Sequence, residues 1–180
     1  MAACRHGINL ALNGFMDATK FLRDNHKILR GLFTQLETSG LRAPEMKEGV
    51  RRQLWREFKI HSQLEEEIFY PALREELGAD QQGKIDDAIN IHHEAEFTFH
   101  DASDRFDEFR DLVLAHIDDE ELHLFTLAER IFSAEVLDEL GAKLHQRHDE
   151  LTEFRSQEQS APEQTQNPHG GEQKRKKSVA

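Results

Sequence analysis

The sequence predicts an all-α protein, an up-down four-helix bundle with an additional C-terminal helix. Three observations carry this reading. From about Asp17 to Phe154 apolar residues recur at three- and four-residue spacing, almost nothing alternates with period two, and Gly40, Pro44 and Gly78 fall between stretches of helical length. A chain of 180 residues suffices for one core without disulfide help. The periodic pattern stops near Arg155. The chain therefore divides into an N-terminal extension at 1–16, a helical domain at 17–155, and a polar tail at 156–180. The tail is expected to be disordered and ends on Lys174-Arg175-Lys176-Lys177.

The first helix is expected from about Asp17 to Glu37, with Leu22, Leu29, Phe33 and Leu36 on one stripe and Gly40 available for a left-handed cap. Pro44 suits the first position of the second helix, because a missing N–H there would be unpaired in any case. That helix carries Leu54, Phe58, Leu64 and Ile68 and fades by Gly78. A third starts near Asp80, a candidate N-cap, and carries Ile85, Ile89 and Phe99. Cap-forming side chains at Asp101-Ala102-Ser103-Asp104 place a turn before a fourth helix bearing Phe106, Phe109, Leu112 and Val113. One unbroken helix from Asp80 to Arg130 would be roughly 75 Å long at 1.5 Å per residue, too long to bury. Ser133 is expected to cap the fifth helix, Ala134 to Phe154, with Leu137, Leu140, Leu144 and Leu151 along the bundle.

Composition excludes several classes of function. Thirty-five Asp and Glu against 23 Lys and Arg give a net charge of −12, so a phosphate backbone is repelled and no nucleic acid is expected. No stretch approaches the roughly 20 apolar residues of a membrane span, and no membrane association is expected. The single cysteine, Cys4, suits a reducing compartment, and a cytoplasmic location is the expectation.

The chemistry lies in the histidines. One sits on the apolar stripe of each of the first four helices: His26 between Leu22 and Leu29, His61 between Phe58 and Leu64, His92 between Ile89 and Ala95, and His116 after Val113. His61 is followed at i+4 by Glu65 and His116 at i+4 by Glu120, so each pair shares a helix face one turn apart and can hold one cation. Counted from the turns at 1.5 Å per residue, facing histidines meet to within about one or two helical turns. Ionised glutamates in a dry interior are strongly penalised unless compensated. A metal pair compensates them: Glu65 and Glu120 can each bridge two cations while imidazoles fill terminal positions. Imidazole with carboxylate suits iron, manganese or zinc, and the absence of cysteine from the set disfavours thiolate sites. The two pairs also sit in similar segments, His61-Ser-Gln-Leu-Glu65-Glu66-Glu67-Ile68-Phe69 and His116-Ile-Asp-Asp-Glu120-Glu121-Leu122-His123-Leu124.

This order of one His, H-x-x-x-E, one His, H-x-x-x-E, at His26, His61/Glu65, His92 and His116/Glu120, resembles the hemerythrin-like family of HHE cation-binding domains. The resemblance covers about residues 17–155 and extends to Glu-Glu-Ile-Phe-Tyr-Pro-Ala-Leu at 66–73 and Ser-Ala-Glu-Val-Leu-Asp-Glu-Leu-Gly at 133–141. It implies a non-haem di-iron centre of two iron ions in a four-helix bundle. By the family's assignment His26 and His61 serve one iron, His92 and His116 the other, and Glu65 and Glu120 bridge. The oxygen carriers of the family have a further His four residues after the third-helix His and a bridging Asp five residues after the last. Glu96 and Glu121 stand at those places, which argues against reversible oxygen carriage and makes Glu96 a candidate seventh ligand. His93 is the rival of His92, and His123 a candidate outer contact. Tyr70, His145 and His148 read as packing or surface residues, and His6, His100 and His169 have no evident partner.

Two functional expectations follow. The first is a di-iron protein that binds or reacts with a small diatomic or peroxide ligand, namely oxygen, peroxide or nitric oxide, with peroxide disproportionation as its enzymatic form. The second is a non-enzymatic sensor or adaptor in which metal occupancy orders the bundle and a protein partner of unknown identity reads it. A metal-free helical interaction module is the remaining alternative.

Overall fold

The computed structural model describes residues 17–38, 44–78, 82–101 and 105–160. In chain order the helices are α1 (Ala18–Thr38), α2 (Pro44–Leu64), a π-turn (Glu65–Phe69), α3 (Tyr70–Glu76), α4 (Gly83–Asp101), α5 (Phe106–Leu122), α6 (Leu124–Ile131) and α7 (Ala134–Ser160). α1 packs on α2, α4 on α5, and α7 lies across α1 and α2, so the expected bundle with a fifth long helix is the observed architecture. The extension at 1–16, the cap sites Gly40 and Asp80, the turn at 102–104 and the tail beyond Ser160 lie outside the described residues.

Local chemistry fixes the helix starts. The Asp17 carboxylate accepts from the Thr19 and Lys20 N–H groups at 2.7 and 3.2 Å, capping α1. Pro44 is the first residue of α2, as its fixed φ favours. The Ser133 hydroxyl accepts from the Val136 N–H at 3.4 Å at the start of α7. That helix runs to Ser160, past the end read at Phe154.

Two of the expected helices are interrupted. The second contains the π-turn, where the Tyr70 N–H donates to the Glu65 carbonyl five residues back. Pro71 explains the place: it supplies no N–H, and its ring crowds the carbonyl four residues behind it, so the backbone widens just before it. The fourth breaks between α5 and α6 at His123, whose Nδ1 sits 3.0 Å from the Asp119 carbonyl oxygen.

The apolar core is in two parts. Leu22, Leu64, Tyr70, Ile85, Leu124 and Leu144 belong to one cluster, and Leu29, Phe58, Ala95, Phe109 and Val113 to the other. Along each of the four bundle helices the stripe crosses from one cluster to the other, and at each crossing stands a histidine: Leu22–His26–Leu29, Phe58–His61–Leu64, Ala88–His92–Ala95 and Val113–His116–Leu124. A polar layer thus spans the middle of the bundle between two apolar plugs that exclude water.

Candidate metal centre

All six sequence-predicted residues enter that layer. His26, His61, Glu65, His92, His116 and Glu120 are each at most 2% exposed. The imidazoles meet in pairs: Nε2 of His26 lies 3.2 Å from Nε2 of His61, and Nε2 of His92 lies 3.0 Å from Nε2 of His116. Glu65 Oε2 is 3.2 Å from His61 Nε2 and 3.3 Å from His92 Nε2, reaching both pairs. Glu120 Oε2 does the same, at 3.3 Å from His26 and 3.7 Å from His116. Two overlapping groups, each able to hold a metal ion, result: His61, Glu65, His92 and His116, and His26, His61, Glu65 and Glu120, with donor atoms within 4.8 Å of one another.

Three further residues shape the layer, and sequence reading had not given them these roles. Each inward glutamate is followed by a second that turns outward and holds a histidine on another helix. Glu121 Oε1 lies 2.9 Å from His26 Nδ1, and Glu66 Oε1 lies 2.8 Å from His92 Nδ1. A carboxylate only accepts, so Nδ1 of both rings carries a proton and Nε2 is the nitrogen turned to the centre. This is the outer carboxylate contact that orients a ligating imidazole. The repeated Glu-Glu at 65–66 and 120–121 was the available signal. Tyr70, read as packing or surface, is buried and donates its hydroxyl to Glu65 Oε2 at 3.1 Å, with its ring stacked on His92.

The electrostatics call for a cation. Burial, reinforced by neighbouring histidines, lowers the pKa of His61 well below the usual value and that of His116 to about 3, so both rings are neutral at neutral pH. Burial and the Glu120 charge raise the Glu65 carboxyl well above its usual range. Burial also pushes Glu120 up, but His26 and His116 outweigh it and hold the group down, at about 2. Burial pushes Glu66 upward too, and the bond from His92 prevails and lowers it. His61 Nδ1, Glu65 Oε1 and both Glu120 carboxylate oxygens have no hydrogen-bond partner among the described residues. Glu120 Oε2 stands 3.3 Å from His26 Nε2, inside one of the two groups of donor atoms able to hold a metal ion. The donor set therefore fits metal ions, and its all-nitrogen-and-oxygen chemistry suits iron, manganese or zinc.

The other candidates stand elsewhere. Glu96 is ion-paired with Lys59 and belongs to neither donor group, so the seventh-ligand reading is replaced by a surface pair. His93 is exposed, on the outward face of α4. His123 bonds to Asp119 and marks the α5–α6 break. His145 and His148 pack edge-on against Phe21, as the packing reading had it. His6 and His169 lie outside the described residues.

Comparison with known proteins agrees with this geometry. Residues 17–99 match the family model described as the hemerythrin HHE cation binding domain. Among solved structures the chain is similar to a hemerythrin HHE cation binding domain-containing protein from Mycobacterium kansasii, with a TM-score of 0.69 and 20% identity, over 81% of this chain and 93% of that one. A search of curated proteins gives no match. The bundle, its buried His/Glu groups and the matched segment lead to one conclusion: the chain is hemerythrin-like, matching the HHE cation binding domain over residues 17–99 and carrying buried groups able to hold a metal ion.

Proposed function

We propose that the chain carries a non-haem di-iron centre that binds or reacts with a small oxidant or gas: oxygen, peroxide or nitric oxide. The observation that carries this reading is the pair of donor groups sharing His61 and Glu65, closed by unpartnered carboxylate oxygens. His26 with His61 would hold one iron and His92 with His116 the other, a division supported by the 3.2 and 3.0 Å nitrogen pairs. Glu65 and Glu120, each reaching both pairs, would bridge. Iron is preferred through the family; the same donors accept manganese or zinc.

When bound, two irons supply two redox equivalents and Lewis acidity at one place. The chain's own residues do the rest. Glu66 and Glu121 hold the His92 and His26 rings by their Nδ1 protons, keeping Nε2 available. The Tyr70 hydroxyl donates to Glu65 Oε2 and so fixes the carboxylate that both pairs share. Burial and the two glutamates raise the Tyr70 pKa well above the usual value, so this proton stays in place at neutral pH. Phe58 and Phe125 flank the layer and keep bulk water out.

The enzymatic form to test is disproportionation of two hydrogen peroxide molecules into two waters and one oxygen. Iron-loaded protein is mixed with peroxide at an oxygen electrode, and its visible spectrum is followed on addition of nitric oxide. Oxygen release with a spectral change supports the reactive centre. A spectral change without turnover selects a non-enzymatic sensor read by a protein partner. Neither response from iron-loaded protein contradicts the reading.

A further inference from the structure

A cavity of about 470 Å³ lies between α4 and the α5–α6 junction. On α4 its wall is one helical stripe, and Lys84, Asp87 and Glu94 from that stripe stand at an exposed rim with Asp119 of α5. Its inner end is formed by His116 and Glu120, both buried. The cavity therefore runs from the exposed rim to the wall of one half of the polar layer, where His116 and Glu120 remain buried. At that end both carboxylate oxygens of Glu120 are without a hydrogen-bond partner among the described residues, although the residue is only 1% exposed. The opposite half is covered. Arg23 bridges Glu121 and Glu129, each at 3.2 Å, and lies 5.1 Å over the Phe125 ring, which itself stacks on His26 at 5.3 Å.

The rim has a definite sign. Three carboxylates face one ammonium, and Lys84 Nζ is 3.9 Å from Asp119 Oδ2, so Asp87 and Glu94 are left with a negative field across the opening. Such a field draws in cations and turns small anions away. At its end stand a carboxylate without a hydrogen-bond partner among the described residues and an imidazole, a donor pair suited to a dication and not required by a neutral gas.

We propose that this cavity is the route by which a divalent cation reaches the centre, with Asp87, Glu94 and Asp119 steering it and Glu120 and His116 receiving it. The proposal rests on the metal-centre reading above and concerns how the site is filled, so its rim residues set the rate of loading and leave the final occupancy unchanged.

The test uses the full chain stripped of metal and mixed with cobalt(II) alone in a stopped-flow spectrometer, following the visible ligand-field absorption. Neutralising the rim with Asp87→Asn, Glu94→Gln and Asp119→Asn is expected to slow uptake roughly tenfold at low salt. The final absorbance stays the same, and the difference shrinks as ionic strength rises. A control with the same change in net charge on α7, Glu139→Gln, Asp149→Asn and Glu153→Gln, is expected to load at the unmodified rate. Equal rates for the rim variant and the unmodified chain overturn the route while leaving the metal centre intact. Equal slowing by the α7 control overturns it too, because overall charge is then the cause. Loss of amplitude in the rim variant makes those residues part of the site and contradicts their steering role. No cobalt uptake by the unmodified chain removes the metal-centre reading itself, and the route with it.

Discussion

Glu65 shows what one side chain does to both stability and function. Its carboxyl is fully buried, its pKa is raised, and Oε1 has no hydrogen-bond partner among the described residues, so the metal-free fold holds it at a penalty. Glu65→Gln keeps the shape and removes the ionisable group. Urea denaturation of the metal-free chain at pH 7 is expected to show a gain of about 1–3 kcal/mol, the usual penalty for a buried unsatisfied group. The same variant should bind fewer metal ions, since an amide bridges poorly. An unchanged or lower stability would show that the carboxylate is compensated within the chain. Glu121→Ala addresses the outer contact: without it the His26 ring loses its orienting acceptor, and metal affinity, measured by competition with a coloured chelator, is expected to fall about 10–100-fold. The six inward residues were legible because each lies on an apolar stripe at helical spacing. The roles of Glu66, Glu121 and Tyr70 were not. His26 and Glu121 are 95 positions apart, and only the packing of α1 against α5 brings them together.

At the level of elements, stripes and caps announced the helices, and departures came where tertiary contacts or backbone widening intervene. The π-turn at Glu65–Phe69 has no compositional mark apart from Pro71, and the break at His123 depends on a ring reaching back to the Asp119 carbonyl. The π-turn begins at Glu65 itself and the α5–α6 break falls three residues after Glu120, so the backbone departs from regular α geometry at or just past each inward glutamate. The Asp17 cap is a separate test of local structure. Asp17→Ala removes the acceptor of two N–H groups and is expected to lower stability by about 0.5–2 kcal/mol in thermal denaturation, with metal binding unchanged. Loss of metal together with that cap would mean that α1 is held in register by its first turn, not by the two core clusters it spans.

For the molecule as a whole, the polar layer makes stability depend on pH and on metal. His61 and His116 have pKa values depressed by folding, from the ordinary 6.5 to about 3 for His116, so between those values the unfolded chain binds more protons. Their contribution is therefore present above about pH 6.5 and is lost as pH falls toward 3. Glu65 acts in the other direction: its raised pKa means the folded chain binds the extra proton, and its contribution declines as pH rises above 4.5. Circular dichroism melts of the metal-free chain should show a decline below pH 6 that is absent when both histidines are replaced by Gln. Metal relieves both penalties. Free ion at a hundredfold excess over its Kd should stabilise the fold by about 2.7 kcal/mol per independent site, and chelator should reverse this. The bundle and its extra helix could be read from the sequence because periodicity sets helix count and connection lengths set their order. The cavity between α4 and α5 could not, since it depends on how two separate stripes fit together.

Among the described residues no helix is long and apolar enough to cross a membrane, and the buried layer of His and Glu between the two core clusters is able to hold metal ions. The measurement that tests this most directly is the number of metal ions per chain after anaerobic loading with ferrous iron, by elemental analysis of the desalted protein. Two irons are expected in the unmodified chain and fewer in both Glu65→Ala and Glu120→Ala. No retained metal, or two irons retained by both variants, would contradict that expectation.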